Sequence, residues 1–170
     1  MGDDKVDMLT LQNAKMVSLK PIQTKQFPSF RSYFVNDYSQ ELVQNYGYSS
    51  TTATEMAEKD LERYFPDGAS TEKHQLMCIT KSQDESWLGY LWYSINTERT
   101  VTFIYDLYIA AEFRNQGYGA QALSQLEQQV KKEGIGEVKL RVAYTNSKAR
   151  QLYERIGFNI TGYNMSKKLK

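Results

Sequence analysis

The sequence predicts an α/β (α+β) fold with a mixed, mostly antiparallel central sheet and helices on both faces. Apolar residues alternate with period two in several short segments, and they recur at every third or fourth position in four longer ones. These segments follow one another in the order βαα-βββ-αβαββ. The three consecutive strands are joined by short polar loops, as in antiparallel hairpins. The helical segments on either side of them in the chain can cover both faces of the sheet.

The first half of the chain begins with a strand and continues with two helices. The strand is expected from Met16 to Ile22, where Pro21 ends it. Apolar and aromatic residues then step by three and four, which predicts a first helix over residues 28–46 that stops at Gly47. A second stripe of the same kind predicts a helix that Ser49 or Ser50 caps.

Strands and helices alternate in the second half. Three strands are expected over residues 74–81, 86–95 and 100–109, and a helix over 117–133. A buried strand over 137–142, a helix over 147–156 and a final hairpin of 158–161 and 164–169 complete the fold. In the strand over residues 100–109 every odd position is apolar or aromatic. This predicts one continuous apolar face made of Val101, Phe103, Tyr105, Leu107 and Ile109.

Length and composition indicate one globular domain. The chain has 170 residues, 41% of them hydrophobic and 24% charged, so it can bury about two-thirds of its unfolded surface. We expect residues 16–170 to form a single domain and residues 1–15 to be a disordered N-terminal segment. The net charge of +1 argues against a nucleic-acid partner, for which a strongly basic face would be expected.

Cysteine and histidine are too few for a disulfide or a metal site. Cys78 is the single cysteine and lies in an apolar run, where we expect it to pack in the core. The lone His74 opens the same strand and is assigned no function. No metal, membrane span or signal peptide is expected, and a cytoplasmic location follows by elimination.

The loop between the third strand and the next helix has the pattern Arg114-x-x-Gly117-x-Gly119. The first N–H groups of a helix have no intrahelical partner and lie at the positive end of its dipole. Glycine lets a ligand approach these groups and permits positive φ. The pattern therefore predicts a pyrophosphate site with Arg114 as a flanking cation. The alternative is a tight strand-to-helix turn that binds nothing.

Two familiar phosphate loops do not fit. The P-loop pattern is absent, and a dinucleotide fingerprint would place its third glycine where Ala122 stands. Alanine is permitted in a looser form of that fingerprint, but the loop would then follow an early strand of a repeated βαβ unit.

The segment from Leu107 to Gly119 resembles motif A of the GNAT superfamily, the acetyl-CoA-dependent N-acetyltransferases. A proline that is frequent in that motif is replaced by Ala111, and Asn115 stands where glycine is frequent. A second segment, from Asn146 to Phe158, resembles motif B of the same family, Asn-x-x-Ala-x-x-Leu-Tyr-x-x-x-Gly-Phe. The resemblance is strong from Ser86 to Lys170, weaker before it, and includes the order of helices and strands.

The resemblance implies that acetyl-CoA is the cofactor and that CoA is the product. The backbone of the third strand would pair with pantetheine amides, and the helix start would bind the pyrophosphate. The implied cofactor-binding residues are Leu107, Tyr108, Ile109, Arg114, Asn115, Gln116, Gly117, Tyr118, Gly119, Ala120, Asn146, Ala149 and Tyr153. For Asn146 the alternative is a helix cap alone.

Two residues are candidates for the chemistry. The family uses a tyrosine at the position of Tyr153 to protonate the departing thiolate, and a phenol of pKa ~10 is a competent donor at neutral pH. The alternative for Tyr153 is core packing beside Phe158. Asp106 is the candidate general base, because it is an acid in an otherwise apolar strand and faces away from Leu107. A satisfied structural acid is its alternative, and Glu112 is a weaker candidate base.

The function implied is transfer of acetyl from acetyl-CoA to a primary amine of a small molecule or a peptide. The alternative is a non-catalytic GNAT-like module that senses CoA. The resemblance also implies a homodimer as one state that the chain can adopt, since dimers are frequent in the family.

Overall fold

Five strands follow one another across the central sheet in sequence order, β1-β2-β3-β4-β5. The first four are antiparallel neighbours, and β5 is parallel to β4. The sheet is therefore mixed and mostly antiparallel, as predicted. The strands are β1 (Val17–Pro21), β2 (Gln75–Lys81), β3 (Trp87–Asn96), β4 (Val101–Ile109) and β5 (Glu137–Leu140).

The computed structural model describes residues 17–167 and 169. These form two units, residues 17–140 with the sheet and residues 141–169. The expectation for residues 1–15, and Met16 of the first predicted strand, lie outside the described residues. The helices are α1 (Phe27–Tyr46), α2 (Ser50–Tyr64) and α3 (Tyr118–Lys132) in the first unit, and α4 (Ser147–Arg155) in the second.

The signals at the ends of α1 and α2 act as the sequence predicts. Gly47 follows α1 with a left-handed φ of 71°, and its N–H donates to the Val43 carbonyl. Ser49 caps α2, because its Oγ accepts a hydrogen bond of 3.1 Å from the Thr52 N–H.

Helices cover both faces of the sheet. On one face α1 and α2 pack against β2 and β3 through a buried cluster of Ile22, Phe30, Leu61, Phe65, Leu76, Cys78, Tyr90 and Trp92. On the other face α3 buries Leu123, Leu126 and Val130. Gln129 of α3 donates a hydrogen bond to the Tyr93 hydroxyl at 3.4 Å, which fixes α3 to β3. The predicted fold class is confirmed.

His74 and Cys78 belong to the core on the α1–α2 face. The indole N–H of Trp92 donates to His74 Nδ1 at 3.0 Å, and burial lowers the pKa of this imidazole. His74 is therefore a neutral hydrogen-bond acceptor between aromatic rings. Cys78 is buried as predicted, and burial raises the pKa of its thiol to about 11.

The C-terminal strands differ from the prediction. β5 ends at Leu140 rather than at residue 142, and its side chains alternate between exposed and half-buried. It was expected to be buried, but among the described residues it pairs on one side only, with β4. The final hairpin is not formed within residues 158–167. A strand pair needs a face to bury, and Ile160, Tyr163 and Met165 are exposed there.

Candidate active site

The start of α3 presents free backbone N–H groups. Gly117 precedes the helix with a φ of 86°, a conformation that favours glycine. The first helical hydrogen bond runs from the Gln121 N–H to the Gly117 carbonyl, at 3.1 Å. The N–H groups of Tyr118, Gly119 and Ala120 have no acceptor among the described residues. These donors at the positive end of α3 fit a phosphate group.

The polar residues before α3 fold back on the end of β4. Arg114 Nε donates to the Ile109 carbonyl at 2.8 Å, and the guanidinium carbon lies 5.7 Å from the centre of the Tyr108 ring. Gln116 Nε2 donates to the Glu112 carbonyl at 3.0 Å, and Asn115 has a positive φ of 58°. In this structure Arg114 therefore contacts the strand rather than extending freely, and its phosphate role stays a prediction.

The second half of β4 has a free edge. β5 pairs with Val101–Ile104 only. Within residues 17–140 the stretch from Tyr105 to Ile109, which includes Leu107, has no partner strand on that side. Its backbone groups are available to a ligand that adds like a strand.

A β-bulge in β4 decides which way Asp106 points. Trp92 of β3 lies opposite Asp106, but the next residue, Tyr93, lies opposite Ile104, so Tyr105 is an extra residue. The Tyr105 ring stacks on Trp92 at 4.7 Å, and Asp106 also faces α1. Ile104, opposite Tyr93, faces α3 instead. The prediction of one continuous apolar face from Val101 to Ile109 is therefore wrong, because the alternation changes phase at Tyr105.

The carboxyl of Asp106 is buried, although the residue as a whole is half-buried. Its Oδ1 accepts a hydrogen bond of 3.1 Å from the Tyr33 hydroxyl, and its Oδ2 is buried without a partner among the described residues. Burial is the main cause that raises the pKa of Asp106 to about 7, and the charges of Asp37 and Glu41 add to it. The Tyr33 hydrogen bond and the Leu107 N–H oppose this rise. Asp106 can therefore gain and lose a proton near neutral pH.

Tyr33 is a residue that the sequence analysis did not single out. Its ring centre lies 3.9 Å from that of Tyr108 and 5.7 Å from that of Tyr90. The signal was present, since Tyr33 stands three positions after the buried Phe30 and so shares its helix face. The sequence could not show that this face would reach Asp106, because that contact spans 73 residues.

An open cavity of about 390 Å³ lies beside Tyr33 and Tyr108. Its walls include Ser29 and Tyr33 of α1 and Trp87, Tyr90 and Tyr108 of the sheet, and Gln26 and Cys78 complete them. None of these lining residues is charged at neutral pH. Tyr33 and Tyr108 connect the cavity to Asp106.

The second motif lies in the second unit. Asn146 caps α4, because its Oδ1 accepts from the Ala149 N–H at 3.1 Å. Tyr153 is half-buried on α4, and its ring packs edge to face on Phe158 with centres 5.7 Å apart. The Phe158 N–H donates to the Tyr153 carbonyl at 2.9 Å. These contacts fix Asn146 and Tyr153 locally, and their cofactor and catalytic roles stay predictions.

Residues 17–167 and 169 contain no group of three or more histidine, cysteine, aspartate or glutamate side chains that could hold a metal ion. No helix in the same residues has the length and apolar character needed to cross a membrane.

Glu112, the weaker candidate base, is exposed on a short 3₁₀ turn (Ala111–Phe113).

Sequence comparison identifies the family. The model of the acetyltransferase (GNAT) family matches residues 30–158. The uncharacterized N-acetyltransferase YycN of Bacillus subtilis (strain 168) is 33% identical over 155 residues, which are 90% of this chain and 99% of that protein. YdgE of the same organism, also named an uncharacterized N-acetyltransferase, is 26% identical and covers 89% of this chain and 98% of its own length. The chain belongs to the GNAT family and is an acetyltransferase.

Structure comparison gives the same fold. The crystal structure of YycN from Bacillus subtilis has a TM-score of 0.84 at 32% identity and covers 91% of this chain and 99% of its own. PaiA N-acetyltransferase from Thermoplasma acidophilum, in complex with coenzyme A, has a TM-score of 0.65 at 17% identity. That match covers 87% of this chain and 92% of PaiA, and it concerns the fold alone.

Proposed function

We propose that this protein transfers an acetyl group from acetyl-CoA to a primary amine of a small molecule or a peptide, with Asp106 as the general base. One observation supports the base above all others. The Asp106 carboxyl is buried at a free strand edge, has a pKa of about 7, and keeps one oxygen, Oδ2, without a partner among the described residues.

The start of α3 would hold the cofactor. The N–H groups of Tyr118, Gly119 and Ala120 would donate to the pyrophosphate, and the free edge of β4 at Leu107 and Ile109 would pair with the pantetheine arm. Acetyl-CoA supplies the thioester. The coenzyme A bound to PaiA supports this choice by fold likeness.

The proposed reaction needs proton transfers at the acceptor nitrogen and at the departing sulfur. Asp106 Oδ2 would accept a proton from the acceptor amine, so that the nitrogen lone pair becomes available for attack. The nitrogen–carbon bond to the acetyl group forms as the carbon–sulfur bond breaks, and the second proton that the nitrogen then loses would restore the Tyr153 phenol through solvent. Tyr153 would give its proton to the departing thiolate, a role that rests on the second motif alone.

The cavity beside Tyr33 and Tyr108 is the proposed acceptor site. Its tyrosine and tryptophan rings suit an amine, which can approach aromatic faces as an ammonium ion. Tyr33, which lines the cavity, is hydrogen-bonded to Asp106, so an ammonium bound there would lie near the group that removes its proton. The competing function, a CoA sensor without turnover, needs neither an ionisable Asp106 nor an acceptor cavity.

The first prediction tests Asp106 as the base. Release of CoA from acetyl-CoA is measured with a panel of amines, and the active acceptors are followed from pH 5 to pH 10. Since only the carboxylate accepts a proton, the wild-type rate should rise through a limb centred near pH 7. Asp106→Asn should lower the rate by roughly 10²-fold and abolish that limb, because the amide has no proton to lose.

Binding measurements separate chemistry from folding. Acetyl-CoA affinity of Asp106→Asn, measured by calorimetry, should equal that of the wild type. A variant that keeps the acidic limb would show that the base lies elsewhere. Tight acetyl-CoA binding with no turnover across the whole panel would instead support the sensor.

A further inference from the structure

Tyr33 is held in place by the rings on either side of it. Its ring lies 3.9 Å from the Tyr108 ring and is stacked at 5.7 Å on the Tyr90 ring, measured between centres. Phe30, one turn earlier on α1, lies 6.2 Å away. These contacts fix the position of the ring, and its hydroxyl lies 3.1 Å from Asp106 Oδ1.

The hydroxyl is the donor of this hydrogen bond. Burial raises the pKa of the Tyr33 phenol far above its usual range, and the negative charges of Asp106 and Asp37 raise it further. Tyr33 therefore keeps its proton at neutral pH, where it acts as a donor and not as a base. A protonated phenol stabilises the ionised form of the carboxyl to which it donates.

The other groups around Asp106 largely oppose ionisation of its carboxyl, so the Tyr33 donor matters for the carboxylate form. On α1, Asp37 and Glu41 face the carboxyl and oppose its ionisation, as burial does. Burial raises the pKa of Asp37, and the charge of Arg114 opposes that rise. Trp92 lies opposite Asp106 on β3. The Tyr33 hydroxyl and the nearby Leu107 N–H favour the carboxylate.

We propose that Tyr33 is a positioning residue, which binds Oδ1 of Asp106 and leaves Oδ2 to accept the proton of the acceptor amine. This inference rests on the proposed function, because it assumes that Asp106 is the base. The bulge at Tyr105 turns the carboxyl towards α1, and Tyr33 then fixes which of its two oxygens is left without a donor.

Tyr33→Phe is the test, since it keeps the ring between Tyr108 and Tyr90 and removes only the hydroxyl. A hydrogen bond to a charged group is worth about one to two pKa units. The acidic limb of the rate should therefore move up by about one pH unit or more. The rate at pH 7 should fall about fivefold, because the ionised fraction falls from about one half to about one tenth. It should recover at pH 9 to 10.

Tyr38→Phe is the matched control. Tyr38 stands on the same helix and donates to Asp60 at 3.4 Å, so the variant loses a similar tyrosine–aspartate hydrogen bond away from Asp106. It should leave the pH profile unchanged. If Tyr33→Phe also leaves the profile in place and only lowers the melting temperature, Tyr33 is structural and the inference is wrong.

A spectroscopic titration makes the result independent of turnover. The carboxyl carbon of Asp106 can be followed by NMR in protein labelled at aspartate with ¹³C, and Asp106→Asn identifies its signal. The midpoint should lie near pH 7 in the wild type and higher in Tyr33→Phe. An unchanged midpoint overturns the inference about Tyr33. If Asp106→Asn still loses the acidic limb of the rate, Asp106 remains the proposed base even when the inference about Tyr33 is wrong.

Discussion

Helix α1 makes two tyrosine–aspartate hydrogen bonds, and the two carboxyls differ in their neighbours. Asp60, the partner of Tyr38, lies 3.0 Å from the guanidinium of Arg63. Asp106 has no cation within salt-bridge distance among the described residues. A neighbouring cation favours the charged form of a carboxyl group. Asp106 lacks that counter-ion, which is what a proton acceptor near neutral pH requires.

Tyr153→Phe tests the other residue of the proposed chemistry. Phenylalanine keeps the ring contact with Phe158 and removes the proton. Turnover should fall by roughly 10²-fold while KM for acetyl-CoA changes little, the pattern of a lost general acid. Tyr144→Phe, at a tyrosine that is 78% exposed, is the control and should behave as wild type. Near-normal turnover in Tyr153→Phe would mean that the residue only packs.

At the scale of elements, the two halves of β4 differ: the first half is a central strand, and the second half has an edge at which a ligand could pair. Its first half, Val101–Ile104, is paired on both sides, by β3 and by β5. Its second half is paired by β3 alone within residues 17–140. The bulge at Tyr105 lies where the first half meets the second, and it turns Asp106 and Tyr108 towards α1. Bulges next to active sites re-aim side chains in this way.

Gly89 is the residue of β3 that permits this arrangement. A Cβ built on Gly89 would lie 1.8 Å from the carbonyl oxygen of Tyr108, so any side chain must push β3 and β4 apart there. Gly89→Ala should lower stability by about 1–3 kcal/mol, the usual cost of overpacking. That corresponds to a fall in melting temperature of roughly 3–10 °C. Activity should fall as well, since Tyr108 is displaced.

Gly136→Ala provides the comparison. Its new Cβ would lie 3.8 Å from Thr100 Oγ1, an ordinary contact. Thermal melts of the two variants should therefore differ clearly. A Gly89→Ala protein as stable and active as Gly136→Ala would show that the two strands do not depend on this close approach.

At the scale of the molecule, the sequence predicted what is local and missed what depends on distant contacts. The periods of α1, α2 and α3 and the glycines at 47 and 117 act within a few residues, and their elements were found to within one or two positions. The bulge at Tyr105 could not be predicted, because the apolar residues alternate without interruption from Val101 to Ile109. The contact between Tyr33 and Asp106 depends on how α1 crosses the sheet, which no local pattern encodes. The final hairpin was predicted around Gly162, and no strand forms there within residues 158–167.

Binding of CoA should stabilise the whole folded protein, because the unfolded chain has no site. At a CoA concentration of 100 times Kd the stabilisation is about 2.7 kcal/mol, which should raise the melting temperature by roughly 5–10 °C. Gly119→Asp places a carboxylate among the N–H donors of Tyr118, Gly119 and Ala120, where it would repel the pyrophosphate. Affinity should fall at least tenfold, and the thermal shift at the same CoA concentration should be about half that of the wild type or less.

The variant itself should fold normally. An acidic residue in the first turn of a helix is favourable because it lies at the positive end of the dipole, so the melting temperature of Gly119→Asp without CoA should equal or exceed that of the wild type. Gly136→Asp adds the same charge beyond the other end of α3, where a Cβ has room, and should retain the full thermal shift. A Gly119→Asp protein that binds CoA as tightly as Gly136→Asp would exclude the start of α3 as the pyrophosphate site.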